Sequence, residues 1–201
     1  MKGRLTEKAL IGCAVIFILG CTVGLAFTEC RAQEAPVSTF GEGKVTVRFY
    51  TDYFCQPCSN MEPGIEPILT ELVRNRTIKL TFVDTPFTRY SSVYARYFLY
   101  ALNEKKTLDN ALLARRCLFE AARQRIVDAQ KLEAFLNEKK VCFRPYDVKP
   151  VFNTLSGYLK QDEIDRTPTC VIEMNGKTYK HAGSSDITAA LEKLKRNKSP
   201  Q

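Results

Sequence analysis

Cys55 and Cys58, in the run Cys55-Gln56-Pro57-Cys58, have the spacing for two kinds of chemistry. A thiol pair one helical turn apart can cycle between dithiol and disulfide. The same spacing is half of a four-coordinate zinc site. Zinc asks for a second close pair, and outside the first thirty residues the chain offers only Cys117, Cys142, Cys170 and its single histidine, His181. None of these is closely spaced with another. Redox chemistry asks instead for a strand leading in and a helix leading out. At a helix start, unsatisfied backbone N–H groups and the positive end of the dipole favour a thiolate. Cys55 is then the expected nucleophile, and Cys58, one turn inward, the residue that resolves its mixed disulfides. Pro57 has no N–H to offer the thiolate and Gln56 adds no charge. A lowered Cys55 pKa is therefore expected, less lowered than a cationic or histidine-bearing dipeptide would give.

The flanking sequence supplies those elements. Lys44 to Thr51 is rich in β-branched and aromatic residues and predicts a strand. Asp52 to Phe54 reads as a loop. From Ser59 to about Arg74, Ile65, Ile68, Leu69 and Leu72 share a helical face, with Pro63 and Pro67 predicting a kinked first half. Thr77 to Val83 alternates as a second strand. Ser91, Asp109 and Asp128 are candidate caps for three helices, and a fourth is expected from Asp147 or Pro150 to Lys160. Thr169 to Met174 returns to strand, Asn175-Gly176 makes a two-residue hairpin turn, and a final amphipathic helix starts at Asp186.

The first thirty residues stand apart. Lys2, Arg4 and Lys8 precede an uncharged apolar run from Ala9 to Phe27, as in a signal peptide or signal anchor. Cys30 and Ala32 favour cleavage before Gln33. Ile18 to Cys21 resembles an imperfect lipoprotein box, and the run is long enough for an uncleaved anchor. In each case the body lies outside the cytoplasm. We divide the chain into a leader at 1–32, a linker at 33–43 and a domain at 44–197. Of eight cysteines, five lie beyond the leader. Disulfides persist in such compartments, and an odd number leaves one thiol over. Cys117 and Cys142 can form a structural disulfide if their helices make a hairpin, or stay as thiols. The net charge of +8 comes from scattered Lys and Arg and indicates a solvated basic surface, with no nucleic-acid partner.

Phe54 to Cys58, Pro63 five residues later, Thr167-Pro168-Thr169 before a strand, and the hairpin–helix ending together resemble the thioredoxin superfamily. The long helical segment at about 87–165, between the second strand and Thr167-Pro168, resembles its DsbA-like branch. The resemblance implies an α/β thioredoxin fold with that segment as a helical insertion. It implies a cis Pro168 lying against the cysteine pair and Thr167 touching a bound peptide, with Gln56 and Pro57 in supporting roles and neither metal nor cofactor. It further implies a monomeric periplasmic thiol–disulfide oxidoreductase, free or tethered, acting on exported proteins with cysteines and reoxidised by a quinone-linked membrane partner. Two departures stand out. Phe49 occupies the position, six before the first cysteine, where many relatives carry an acid. Gln-Pro also differs from the Pro-His of the best-known DsbA oxidases. The expected activity is that of an oxidase. The alternatives are a reductase, for instance in cytochrome c maturation, and a non-catalytic binding or chaperone module.

Overall fold

The structure is a computed structural model, and residues 37–196 are described. The leader, Cys13, Cys21 and Cys30, the first part of the linker and the basic tail lie outside the described residues. The central strand, β2 (Val45–Thr51), runs parallel to β3 (Ile78–Asp84) on one side and antiparallel to β4 (Thr169–Met174) on the other. β4 continues through the Asn175-Gly176 turn into β5 (Lys177–Ala182). Both turn residues have positive φ, as a type I′ hairpin needs. The far edge is β1 (Thr39–Phe40), a two-residue strand antiparallel to β3. β1 falls in the stretch expected to be linker, where the pattern was too short to register as a strand. The sheet order is β1-β3-β2-β4-β5.

Side chains alternate across β2, and each set meets a different helical layer. Val47 and Phe49 join a core with Ile65, Leu69 and Leu72 of α1 (Gln56–Arg74), Leu112 and Leu118 of α3 (Leu108–Arg123), and Ile187 and Leu191 of α6 (Ser184–Arg196). Tyr50 faces the other way with Val83 and Val171, under Val151 and Leu155 of α5 (Lys149–Gln161) and Leu99 of α2 (Ser91–Glu104). The short α4 (Ala129–Glu138) adds Leu132, Phe135 and Leu136 to the first core. Burying each large aliphatic side chain stabilises the fold by about 1.5–3 kcal/mol relative to leaving it in water. On the α5 side, Arg48 makes paired hydrogen bonds of 2.6 and 2.9 Å to Asp162 and reaches Glu173 at 2.5 Å. Tyr50 donates to the same Asp162 carboxylate. This bidentate contact ties the end of α5 to the central strand.

Several helix starts differ from the sequence expectation. α1 begins at Gln56, three residues earlier than its apolar stripe indicates, because proline is tolerated in a first turn and Cys55 serves as the cap. For α3 the cap is Thr107, whose extended backbone lets its Oγ1 accept from Asn110 N at 3.3 Å. Asp109 instead lies in the first turn, paired with Arg74 at 3.0 Å. α2 has no side-chain cap from Ser91. Thr88 Oγ1 accepts from Ser91 N, and the Ser91 hydroxyl turns inward to Asp52. α6 starts at Ser184 rather than Asp186. Asp128 caps α4 through Lys131 N at 2.9 Å.

Candidate active site

The loop from Asp52 to Cys58 is fixed by hydrogen bonds before any sulfur chemistry enters. Cys55 N donates to Asp52 O at 3.1 Å, and Phe54 N to Asp52 Oδ1 at 2.7 Å. The other carboxylate oxygen accepts from Phe87 N at 2.9 Å, and Ser91 Oγ lies 2.8 Å from both oxygens. Asp52 is only 3% exposed, so these donors replace water around it. The loop is thereby clamped to the segment that leads into α2.

Cys55 is the N-cap of α1 and half-buried; Cys58, in the first turn, is fully buried. Cys58 Sγ donates to Cys55 Sγ at 2.8 Å, and Cys58 N lies 3.4 Å from the same sulfur. The peptide bond Thr167–Pro168 is cis, and Thr167 O lies 3.4 Å from Cys55 Sγ. The thiol hydrogen bond from Cys58 is the main influence lowering the Cys55 pKa, to about 6. Burial opposes it, and hydrogen bonds from the Thr167 side chain and Cys58 N assist. Cys58 is pushed well up, because its proton is held in the bond to Cys55 and its sulfur is buried. The two thiols thus divide into a ready nucleophile and a thiol that keeps its proton. Pro57 occupies the first turn and Gln56 is exposed; Gln56 Nε2 donates to Asn60 at 2.7 Å. The structure therefore brings Cys55, Cys58, Thr167, Pro168, Gln56 and Pro57 to one place.

Cys117 and Cys142 are not brought together. Both are free thiols; Cys117 is buried on α3 and Cys142 is exposed beyond α4. α3 turns Cys117 into the first core while the chain after Val141 carries Cys142 outward, so the expected bridge is not formed in this structure. Cys170 is fully buried in β4 opposite Phe49, and burial raises its thiol to about 12. His181 is partly exposed at 3.1 Å from Asp186.

Behind the dithiol lies a charged cluster that the sequence reading missed. Arg115 of α3 is fully buried and donates Nε and Nη2 to Glu62 of α1 at 2.6 and 2.8 Å, and Nη2 also to Thr51 Oγ1 at 3.1 Å. Its guanidinium sits 4.2 Å from the centre of the Phe82 ring and 5.8 Å from that of Phe49. Asp84, at the end of β3, lies 3.7 Å from Arg115 Nη1. Neither Asp84 Oδ1 nor Arg115 Nη1 has a hydrogen-bond partner. Burial raises Asp84 to about 7, against the pull of Arg115. Phe49 holds no carboxylate itself, yet the core beside it is charged, supplied from neighbouring elements. A signal for this was present. Glu62 falls between Cys58 and Ile65 on the buried stripe of α1, and Arg115 between Leu112 and Leu118 on that of α3. Opposite charges at core positions of two helices indicate a buried pair.

Known proteins place this geometry. A thioredoxin family model matches residues 41–193. Among solved structures, α-DsbA1 of Wolbachia pipientis superposes with a TM-score of 0.62 at 16% identity, covering 80% of this chain and 91% of that one. A periplasmic thioredoxin-like protein of Salmonella enterica serovar Typhimurium gives 0.57 at 20% identity, over 78% and 89%. DsbA2 of Pseudomonas aeruginosa gives 0.55 at 18% identity, over 80% and 94%. No curated protein sequence matches the chain. With the family model spanning β2 through most of α6, and with a cysteine-capped helix beside a cis-proline loop, the chain belongs to the thioredoxin family.

Proposed function

We propose that the chain is an extracytoplasmic thiol–disulfide oxidoreductase that oxidises cysteines of exported proteins. The observation that carries this reading is the division of labour between the two sulfurs: Cys55 is lowered to about 6 at the start of α1, and Cys58 sits buried behind it. In the oxidised protein a substrate thiolate attacks Cys55 Sγ, the Cys55–Cys58 bond breaks, and Cys58 leaves as a thiolate that takes up a proton. A second substrate thiolate then attacks the substrate sulfur of the mixed disulfide, and Cys55 leaves as a thiolate. The substrate gains a disulfide and the protein gains two electrons.

The lowered Cys55 pKa supports the oxidising direction through the leaving group. A thiol of low pKa is a good leaving group and a stable thiolate, so the reduced form is favoured and the disulfide oxidises. The apolar leader and the DsbA names of similar folds support a periplasmic setting. Reoxidation by a quinone-linked membrane partner is part of the proposal, as is membrane tethering if the leader is retained. The test is the reduction potential of Cys55–Cys58 on the full chain, by equilibration in glutathione buffers. A value of roughly −120 to −180 mV supports the oxidase. One near roughly −270 mV overturns it in favour of a reductase, and the lack of any reversible couple leaves a binding module.

A further inference from the structure

Beside Cys55 the surface opens into a groove of about 480 Å³ between the start of α1 and the loop that follows α3. Phe54 and Tyr90 give it an aromatic wall, with ring centres 5.9 Å apart, and Val127 adds an aliphatic edge that is 44% exposed. Arg123 and Arg125 line the same groove, and Arg89 stacks on the Tyr90 ring at 4.5 Å. Arg123 donates to Ser59 Oγ at 3.0 Å. Among the described residues, none of these three guanidinium groups has a carboxylate within ion-pair distance. The nearby acids are engaged elsewhere: Glu62 with Arg115, Glu120 with Lys139, Asp52 with Ser91 and two backbone N–H groups, and Asp128 with the first turn of α4. Of these only Asp128 is exposed, next in the chain to Val127 of the groove. The surplus of positive charge therefore lies on the wall next to the nucleophile.

We infer that this groove selects the polypeptide segment flanking the reacting cysteine, favouring substrates with Asp or Glu and an apolar side chain within a few residues of it. The inference rests on the exchange activity proposed above and adds its substrate class. Arginine suits this role, since its fork pairs with carboxylates and its plane lies against aromatic side chains. Rim charges act mainly on encounter rate and lose their effect with salt.

The test measures how fast the oxidised full-length protein is reduced by three dithiol peptides of equal length, with acidic, neutral or basic residues around the first cysteine. A neutral small-molecule thiol serves as reference, with acid quenching and chromatography as readout. The acidic peptide is expected to react about three- to tenfold faster than the basic one at low salt, the difference shrinking at high salt. In Arg123→Glu/Arg125→Glu the order of the acidic and basic peptides should reverse; Glu163 already occupies a left-handed position like that of Arg125. Equal rates for all peptides, with the reference thiol reacting normally, overturn the groove and leave the exchange activity standing. No reaction with any thiol overturns both. A charge preference unchanged in the double variant also overturns the groove, because the selectivity then resides elsewhere.

Discussion

Replacing Cys58 with alanine removes the hydrogen bond that does most to lower the Cys55 pKa. The N-terminus of α1, Cys58 N and the Thr167 side chain remain. We expect the Cys55 midpoint to move from about 6 to roughly 7.5, still below the ordinary thiol value of roughly 8.5. That shift corresponds to about 2 kcal/mol at most, since Cys55 is half-exposed and solvent screens the interaction. At pH 7 the thiolate fraction would fall from about nine-tenths to about a quarter. Alkylation rate at a single pH is a poor readout, because nucleophilicity rises as thiolate population falls and the two effects nearly cancel. The assay is therefore the full pH titration of thiolate absorbance near ~240 nm, taken as the difference from the matching protein that also carries Cys55→Ser, so that the other free thiols cancel. Cys58→Ser keeps a hydroxyl donor and should stay closer to the parent. A midpoint still near 6 in Cys58→Ala would refute the reasoning and assign the lowered pKa to the helix terminus and Thr167. Equal shifts in the Ala and Ser variants would refute it too.

The buried charges make further predictions. Asp84 holds its proton to about 7 in the folded protein, whereas an unfolded carboxyl releases it near ~4. Between these values the unfolded chain binds fewer protons, so stability should fall as pH rises from about 4 to about 7 and level off above; Asp84→Asn should flatten that fall in thermal melts, and parallel profiles would exclude Asp84 as its source. Arg115→Ala leaves Glu62 and Asp84 without their counter-charge and should cost about 3–5 kcal/mol in urea unfolding. Arg115→Met, which still fills space against Phe82, should cost less; equal losses would mean that the missing charge rather than packing is at stake. Ser91→Ala withdraws the hydroxyl from the buried Asp52 carboxylate and should cost about 1–3 kcal/mol. An unchanged melting temperature would show that the clamp on the active-site loop does not need it.

The sulfur chemistry was legible because it depends on local order: a strand, two cysteines at a helix start, and a proline before a later strand. The same is true of the hairpin at Asn175-Gly176, whose turn needs two positive φ values. Helix starts were less legible, since Thr107 and Asp109 are both competent caps by residue type and only the backbone conformation of Thr107 decides between them. Asp52 and Ser91 could not be joined from sequence, because their contact spans α1, β3 and the loop after it. Arg115 was overlooked for another reason: next to Arg116 it reads as one of two surface cations unless its place on the apolar stripe of α3 is matched with that of Glu62 on α1. β1 escaped because two residues carry no periodicity.

The order of strands also has a consequence for how the protein comes into being. β2 finds β3 after a single helix, but its other neighbour, β4, arrives only after four more, with Phe49 meeting Cys170 more than a hundred positions later. Long-range pairings of this kind form slowly, since the loop they close is entropically expensive. Cys55 and Cys58 emerge early in synthesis, whereas Thr167 and Pro168 are made near the end. Until β4 docks, Cys55 lacks the Thr167 contact that assists its thiolate, and the cis-proline loop that lies beside the pair. The nascent chain thus carries its two thiols before the loop that completes their site, and the finished site waits on the last part of the chain.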